Sequence, residues 1–235
     1  MNKTVRNGLL VAALLAPPAA RAGMIVAQET WSNPPSVENW WSDEAWVALS
    51  NPSGYLNISL AATATNPGDP GAEWYALAKT DASSFFAGNW QGLQVAFDFW
   101  ADDVVPGYVQ VRWSSATNAA VWRATVYDSS GGGGGGLAVG QWTTLTAPAL
   151  ANYLDWNYGS GSQQEFISDL ATIDWIGVYI WRNTGLAQDY GIDNFRLMVP
   201  EPQEYMLLAA AALSTALSLR RRKPAAAAGD GAAGG

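Results

Sequence analysis

The feature that most constrains the fold is a period-two alternation of apolar and polar residues in short runs. Leu93, Val95, Phe97 and Phe99, for example, fall on one side of an extended chain. Turn-forming residues rich in Asn, Pro, Gly and Asp separate the runs, at 51–54, 66–71 and 102–107. This pattern is typical of strands that are buried on one face.

Nine segments follow this pattern, and they are the predicted strands 46–49, 55–60, 74–78, 93–99, 108–113, 120–127, 142–146, 175–181 and 190–197. One short helix is predicted over 163–171, where Phe166 and Leu170 are four residues apart. The six glycines at 131–136 predict a flexible loop or hairpin tip. Many short strands with few helices predict an all-β fold, an antiparallel β-sandwich of the jelly-roll type, over residues 23–198.

The charge and the missing residue types exclude several function classes. Residues 23–199 contain seventeen Asp and Glu but only five Lys and Arg. Such a surface repels phosphate backbones, so we expect no nucleic-acid partner. The chain has no Cys and no His, which excludes disulfides, Ser-His-Asp catalysis and the common zinc sites. We therefore predict a non-enzymatic domain, and the enzymatic alternative is a hydrolase or lyase that uses two close carboxylates.

Thirteen tryptophans, all between Trp31 and Trp181, suggest a role in binding as well as in packing. If Ile176, Val178 and Ile180 point inward, the aromatic residues between them point outward. The same reasoning on two other strands predicts a sugar-binding surface of rings and planar polar groups. Its members are Asp98, Trp100, Tyr108, Gln110, Arg112, Trp175, Tyr179 and Trp181. The alternative is that a loop or another subunit covers these rings.

The N-terminal segment has the organisation of a secretory signal peptide. Lys3 and Arg6 precede an apolar run at 8–15, and Ala20-Arg21-Ala22 offers small residues at the two positions that signal peptidase reads. The apolar run is too short to span a bilayer, which needs about 20 residues. We predict cleavage after Ala22.

The C-terminal segment is organised differently from the domain. Pro200 and Pro202 end the last predicted strand, because proline cannot donate a ladder hydrogen bond. Residues 205–219 carry no charge and would form a helix about 22 Å long. This helix is short for a hydrocarbon core of about 30 Å. A basic cluster at 220–223 follows and is expected to stay cytoplasmic, and a low-complexity Ala/Gly tail occupies 224–235.

The order of these C-terminal features resembles the PEP-CTERM sorting signal of Gram-negative bacteria. The residues that carry the resemblance are Val199, Pro200, Glu201, Pro202, Arg220, Arg221 and Arg222. The resemblance implies that an exosortase recognises the tail, after signal peptidase has acted and while the helix is transiently in the inner membrane. A plain single-pass anchor is the alternative. The tail after Lys223 departs from the pattern, since such signals usually stop near their basic cluster.

The last two predicted strands carry a second resemblance. Residues 173–179 and 190–197 are similar to the closing strands of jelly-roll carbohydrate-binding and galactose-binding-like domains. In many such domains an acidic residue of the final strand helps to hold a structural calcium near the start of the domain. The resemblance implies this role for Asp193, with Glu29 as the nearest early carboxylate.

The sequence therefore predicts a protein sorted to the outer surface or extracellular (biofilm) matrix, with a sandwich domain that binds exopolysaccharide. A purely structural surface protein without a sugar ligand is the alternative from a different class.

Overall fold

The computed structural model describes residues 23–64, 66, 73–130, 136–156 and 161–200, and Gly23–Pro200 forms one compact unit. The predicted signal peptide and the predicted sorting segment from Glu201 onward lie outside the described residues. Val199 and Pro200 are described: Val199 ends the last strand and Pro200 follows it, buried. In the described part of the chain, no helix is long and apolar enough to cross a membrane.

Eleven strands and two α-helices make up the described unit. In chain order they are β1 (Met24–Glu29), β2 (Trp40–Trp41), β3 (Val47–Ser50), β4 (Leu56–Leu60), β5 (Tyr75–Asp81), α1 (Ala82–Phe85), β6 (Gln94–Ala101), β7 (Tyr108–Ser115), β8 (Val121–Asp128), β9 (Thr143–Thr146), α2 (Gln163–Leu170), β10 (Ile173–Trp181) and β11 (Gln188–Val199). A short 3-10 helix, Tyr153–Asp155, lies between β9 and α2.

The strands form two antiparallel sheets. Sheet A has the order β3-β4-β11-β6-β9, with β1 paired to the second half of β11. Sheet B has the order β2-β5-β10-β7-β8. The predicted all-β antiparallel sandwich is confirmed, and the connectivity is consistent with a jelly roll.

The core lies between the sheets and follows the predicted alternation. Sheet A contributes Val95, Phe97 and Phe99, which are fully buried. Sheet B contributes Val109, Val111 and Trp113 together with Ile176, Val178 and Ile180, and all of these are also fully buried. Apolar side chains on the inner faces of two twisted sheets interdigitate in this way because each sheet has one face that water cannot solvate favourably.

Tryptophan divides between the core and the surface. Seven of the thirteen are buried: Trp31, Trp40, Trp74, Trp90, Trp113, Trp122 and Trp156. The other six retain exposed area, so packing accounts for only about half of the tryptophan content.

The predicted helix is confirmed as α2, which covers one end of the core. Ser162 and Glu165 form a capping box at its N-terminus, which satisfies two backbone N–H groups. Phe166 packs its ring 4.9 Å from that of Trp122. The Trp122 indole N–H donates to the buried Asp169 at 2.8 Å, which ties the helix to β8.

Four elements were not predicted from the sequence. They are β1, which follows the predicted signal peptide directly, the two-residue strand β2, α1 and the 3-10 helix. Helix α1 begins after Asp81, whose carboxylate accepts from the backbone of Ser83 and Ser84. Each is short or atypical, so it gives little periodic signal.

Candidate functional site

The outer side chains of sheet B form a single surface, called face B here. Its members are Trp41 from β2, Tyr75, Leu77 and Lys79 from β5, Trp175, Tyr179 and Trp181 from β10, Tyr108, Gln110 and Arg112 from β7, and Arg123 and Thr125 from β8. Strand register brings them into cross-strand rows. Side chains at opposite positions of neighbouring strands are about 4.5–5.5 Å apart at Cβ, so the members of a row touch.

Four aromatic rings of face B stack in series. Trp181 lies opposite Tyr108 in the register, and their rings are 5.7 Å apart with planes 2° from parallel. Tyr108 and Tyr179 are 5.9 Å apart at 19°, and Tyr179 and Tyr75 are 5.2 Å apart at 17°. The four rings are called the ring stack below. Trp181, Tyr108 and Tyr75 are half-buried, so their surfaces remain partly open to solvent.

Arg112 covers the middle of the ring stack. Its guanidinium carbon lies 3.3 Å from the ring centre of Tyr179, a cation–π contact, and Tyr179 is only 5% exposed. Burial is the main cause that raises the pKa of Tyr179 and lowers the pKa of Arg112. The guanidinium Nε and Nη2 donate to Gln110 Oε1 at 2.9 and 2.7 Å. Gln110 in turn donates to Thr125 at 3.1 Å, so the polar groups are held in place by their neighbours.

Lys79 forms the other polar centre of face B. Its ammonium lies 4.9 Å from the ring centre of Trp175 and 5.5 Å from that of Trp41. It also forms an ion pair with Asp43 at 2.5 Å. Gly177 lies between Lys79 and Arg112 in the same row, and a side chain at this position would collide with the backbone of β5.

The predicted sugar-binding residues are thus divided between two surfaces. Tyr108, Gln110, Arg112, Trp175, Tyr179 and Trp181 come together on face B. Asp98 and Trp100 belong to β6 of sheet A and lie on the opposite side of the sandwich, so their grouping with the other six was wrong. Alternation along a strand tells inside from outside but does not tell which sheet the strand joins.

Face B also contains residues that the sequence analysis missed. Tyr75, Lys79 and Trp41 lie beside the predicted residues because β5 pairs with β10 and β2 pairs with β5. A local signal existed for Tyr75 and Lys79, since Trp74, Ala76 and Ala78 alternate with them. The pairing of distant strands gives no such local signal.

The outer side of sheet A, called face A, carries a second aromatic cluster. Trp100 stacks on Trp142 at 6.3 Å, and Tyr55 meets Trp142 edge-on at 5.5 Å. Gly191 makes room for the cluster, because a Cβ there would lie 2.9 Å from the far end of the Trp142 ring. Trp142 is 47% exposed.

Two carboxylates lie on face A, on the strands that carry Trp100 and Gly191. Asp98 and Asp193 are opposite each other in the register of β6 and β11. Asp98 accepts from Thr144 at 2.6 Å and from Asn194 at 2.8 Å, and Arg196 lies 3.7 Å away. Burial, aided by the charge of Asp98, raises the pKa of Asp193. A carboxylate hydrolase needs such a pair, but the oxygens of Asp98 already have several protein partners.

The two predicted calcium ligands each accept backbone hydrogen bonds. Glu29 accepts from Thr30 and Trp31 at 3.0 and 3.2 Å, and Asp193 accepts from Asn194 at 2.7 Å. Among the described residues, no group of three or more acidic side chains gathers in a metal-binding arrangement. The calcium site stays a prediction.

No family model matches the sequence, and no curated protein sequence matches it significantly. Solved structures similar to the chain include carbohydrate-binding modules. The family 11 carbohydrate-binding module of a cellulosomal cellulase of Clostridium thermocellum is 17% identical, with 74% of this chain and 95% of that chain covered and a TM-score of 0.44. A family 29 carbohydrate-binding module is 11% identical, with 75% and 87% covered and a TM-score of 0.42.

The similar structures also include agarases. One is 14% identical, with 75% of this chain and 26% of that chain covered and a TM-score of 0.48. The chain thus spans about a quarter of the length of the agarases that it matches. Likeness at this level assigns no activity, and the two-sheet architecture rests on the strand pairing of the chain itself.

Proposed function

We propose that this is an exported surface or matrix protein whose β-sandwich, a non-catalytic jelly roll, binds exopolysaccharide through face B. The observation that carries the proposal is the ring stack, in which partly open aromatic surfaces lie beside fixed amide and guanidinium groups. Sugar recognition combines these two elements: flat rings stack on the apolar faces of pyranoses, and planar polar groups bond to the hydroxyls.

The ring stack supports a binding role more than a packing role. Tyr108 and Trp181 are half-buried and parallel, so part of each ring remains accessible to a ligand from solvent. Their inward neighbours Val109 and Ile180 already fill the core. Packing alone would therefore not require large outer rings at these positions.

Glycan binding can be measured by calorimetric titration of the protein with a panel of bacterial exopolysaccharides and purified oligosaccharides. Wild-type protein is expected to bind at least one glycan. A double variant, Tyr108→Ala with Trp181→Ala, is expected to lose that binding while its far-ultraviolet circular dichroism spectrum and its cooperative thermal unfolding stay close to those of wild type. A wild-type protein that binds no glycan in the panel, or a variant that binds as well as wild type, contradicts the proposal and favours a purely structural surface protein.

Export and sorting are part of the same proposal and rest on the sequence. The signal peptide at 1–22 and the PEP-CTERM-like segment at 199–223 support delivery through the inner membrane to the outer surface. Cell fractionation with and without an exosortase, combined with the mass of the mature protein, tests it. A tail that is retained in both strains contradicts exosortase processing.

A structural calcium held by Glu29 and Asp193 is the remaining part of the proposal. Calcium favours six to eight oxygen ligands, so backbone carbonyls or water would have to complete such a site. We expect chelator to lower the melting temperature of the purified protein and calcium to restore it. An identical melting temperature with chelator and with calcium contradicts this part alone.

A further inference from the structure

The few cations of this acidic domain are concentrated on face B. Five Lys and Arg residues lie between positions 23 and 199. Three of them, Lys79, Arg112 and Arg123, occupy one cross-strand row that also contains Gly177. Of the other two, Arg182 is fully buried and Arg196 faces Asp98 on sheet A.

Two of these three cations have no ion-pair partner among the described residues. Lys79 has its ion pair with Asp43. Among the described residues, neither Arg112 nor Arg123 forms an ion pair with a carboxylate, although acidic residues greatly outnumber basic ones. Arg112 and Arg123 lie directly opposite each other in the register, and the like charge of Arg123 contributes to lowering the pKa of Arg112. Like charges placed opposite each other are destabilising, so this arrangement favours an anion from outside.

The arginines are also close to the ring stack. Arg112 rests on Tyr179, which is stacked on Tyr108, and Tyr108 is stacked on Trp181. Because Nε and Nη2 of Arg112 both donate to Gln110, the guanidinium is held in a fixed orientation with further N–H groups left to donate. A planar guanidinium with fixed orientation is suited to bind a carboxylate or a sulfate group.

We infer that face B selects an acidic polysaccharide, a chain of pyranose rings that carries carboxylate or sulfate groups, with the anion at Arg112 and Arg123 and the sugar rings on Tyr108 and Trp181. This inference rests on the proposed glycan-binding function and specifies its ligand class. The overall acidity of the domain opposes polyanions at long range. Specific binding therefore requires the local contacts of face B.

Calorimetric titration of the full-length protein with matched acidic and neutral glycans tests the inference. Polygalacturonate is compared with its methyl ester, and a sulfated galactan with the same galactan after desulfation. The acidic form of at least one pair is expected to bind about tenfold more tightly than its neutral form, since charge-assisted hydrogen bonds are about twice as strong as neutral ones. The pair that shows the preference identifies the anion as carboxylate or sulfate.

Charge variants show whether the preference comes from face B. Arg112→Gln is expected to weaken binding of the acidic form about tenfold more than binding of the neutral form, which removes most of the preference. Arg196→Gln removes the same charge from sheet A and is expected to leave the preference unchanged.

Equal binding of acidic and neutral forms, or an Arg112→Gln variant with the wild-type preference, overturns the inference and leaves glycan binding in place. Failure to bind either form contradicts the proposed function itself. Equally tight binding of single-stranded DNA overturns selection for a sugar chain.

Discussion

The two outer faces of the sandwich carry similar aromatic clusters beside different sets of charged groups. On face B the ring stack lies beside Arg112, Arg123 and Lys79. On face A the rings of Tyr55, Trp100 and Trp142 lie on the sheet that holds Asp98 and Asp193. Partly exposed rings occur on both faces, so the rings alone do not distinguish the two surfaces. The charged groups around the rings differ, and they determine which ligands each face can attract.

The largest difference between the faces is expected in protein stability, when the glycine of each face, Gly177 on face B and Gly191 on face A, is replaced by alanine. In Gly177→Ala the new Cβ would lie 2.3 Å from the carbonyl oxygen of Ala78, so β5 would have to move away from β10. We expect a loss of about 3 kcal/mol or more in the free energy of unfolding, at the upper end for overpacking. In Gly191→Ala the closest atom is the far end of the exposed Trp142 ring, which can swing away.

Urea unfolding of both glycine variants measures this difference. Gly191→Ala is expected to cost less than about 1 kcal/mol, because the new Cβ meets only side-chain atoms and no backbone has to move. If both variants lose the same free energy of unfolding, the structural difference between the backbone contact at Gly177 and the side-chain contact at Gly191 is contradicted.

The second prediction concerns glycan affinity. Trp181→Ala on face B is expected to weaken binding by about tenfold or more, since truncating a central aromatic anchor commonly costs 2 kcal/mol or more. Trp142→Ala on face A removes a ring of the same type that is 47% exposed, and binding is expected to stay within about twofold. Calorimetric titration with the glycan identified by the panel measures both. A larger loss for Trp142→Ala would move the site to face A.

The smallest effect is pH-dependent and involves Asp81, the last residue of β5 in sheet B. Hydrogen bonds from the Ser83 side chain and from the backbone of Ser84 and Ser83 lower the pKa of Asp81 below its ordinary 3.8, whereas burial raises the pKa of Asp193 on face A. The stabilisation from Asp81 is therefore present above pH about 4 and is lost as the pH falls through its lowered folded-state pKa.

Melting temperatures at several pH values test this role of Asp81. Asp81→Ala removes the N-cap of α1 and is expected to cost about 1 kcal/mol at pH 7, with a smaller difference from wild type at pH 3. Asp81→Asn serves as the control, because Asn caps a helix about as well as Asp but does not titrate in this range. A deficit of Asp81→Ala that is the same at both pH values contradicts the role of the ionised carboxylate.

Much of the fold could be predicted from the sequence because it depends on local periodicity. The alternation of Ile176, Val178 and Ile180 with aromatic residues correctly separated the core side of β10 from the outer side. Helix α2 was predicted from Phe166 and Leu170 alone. Strands β1 and β2 were missed, since β1 has no clear alternation and β2 has two residues. Both are stabilised mainly by their pairing with β11 and β5.

The candidate site was only partly predictable, for a different reason. Six of its residues were predicted from outward positions in β7 and β10, which are neighbours in sheet B. Asp98 and Trp100 have the same outward pattern but belong to the other sheet. The row of Lys79, Arg112 and Arg123 could not be predicted, because it depends on the register of four strands that are distant in the sequence.

The sequence alone showed that the domain is acidic and contains neither histidine nor cysteine. It also showed strands in which apolar and polar residues alternate, and enough tryptophans to suggest that some lie on the surface. These are properties of composition and of the two-residue period of an extended chain, so they need no knowledge of tertiary contacts. Only the tertiary structure decided which rings share a face and which charges accompany them. Strand order and register are set by the packing of the whole core, and the same alternation in a single strand is compatible with either sheet.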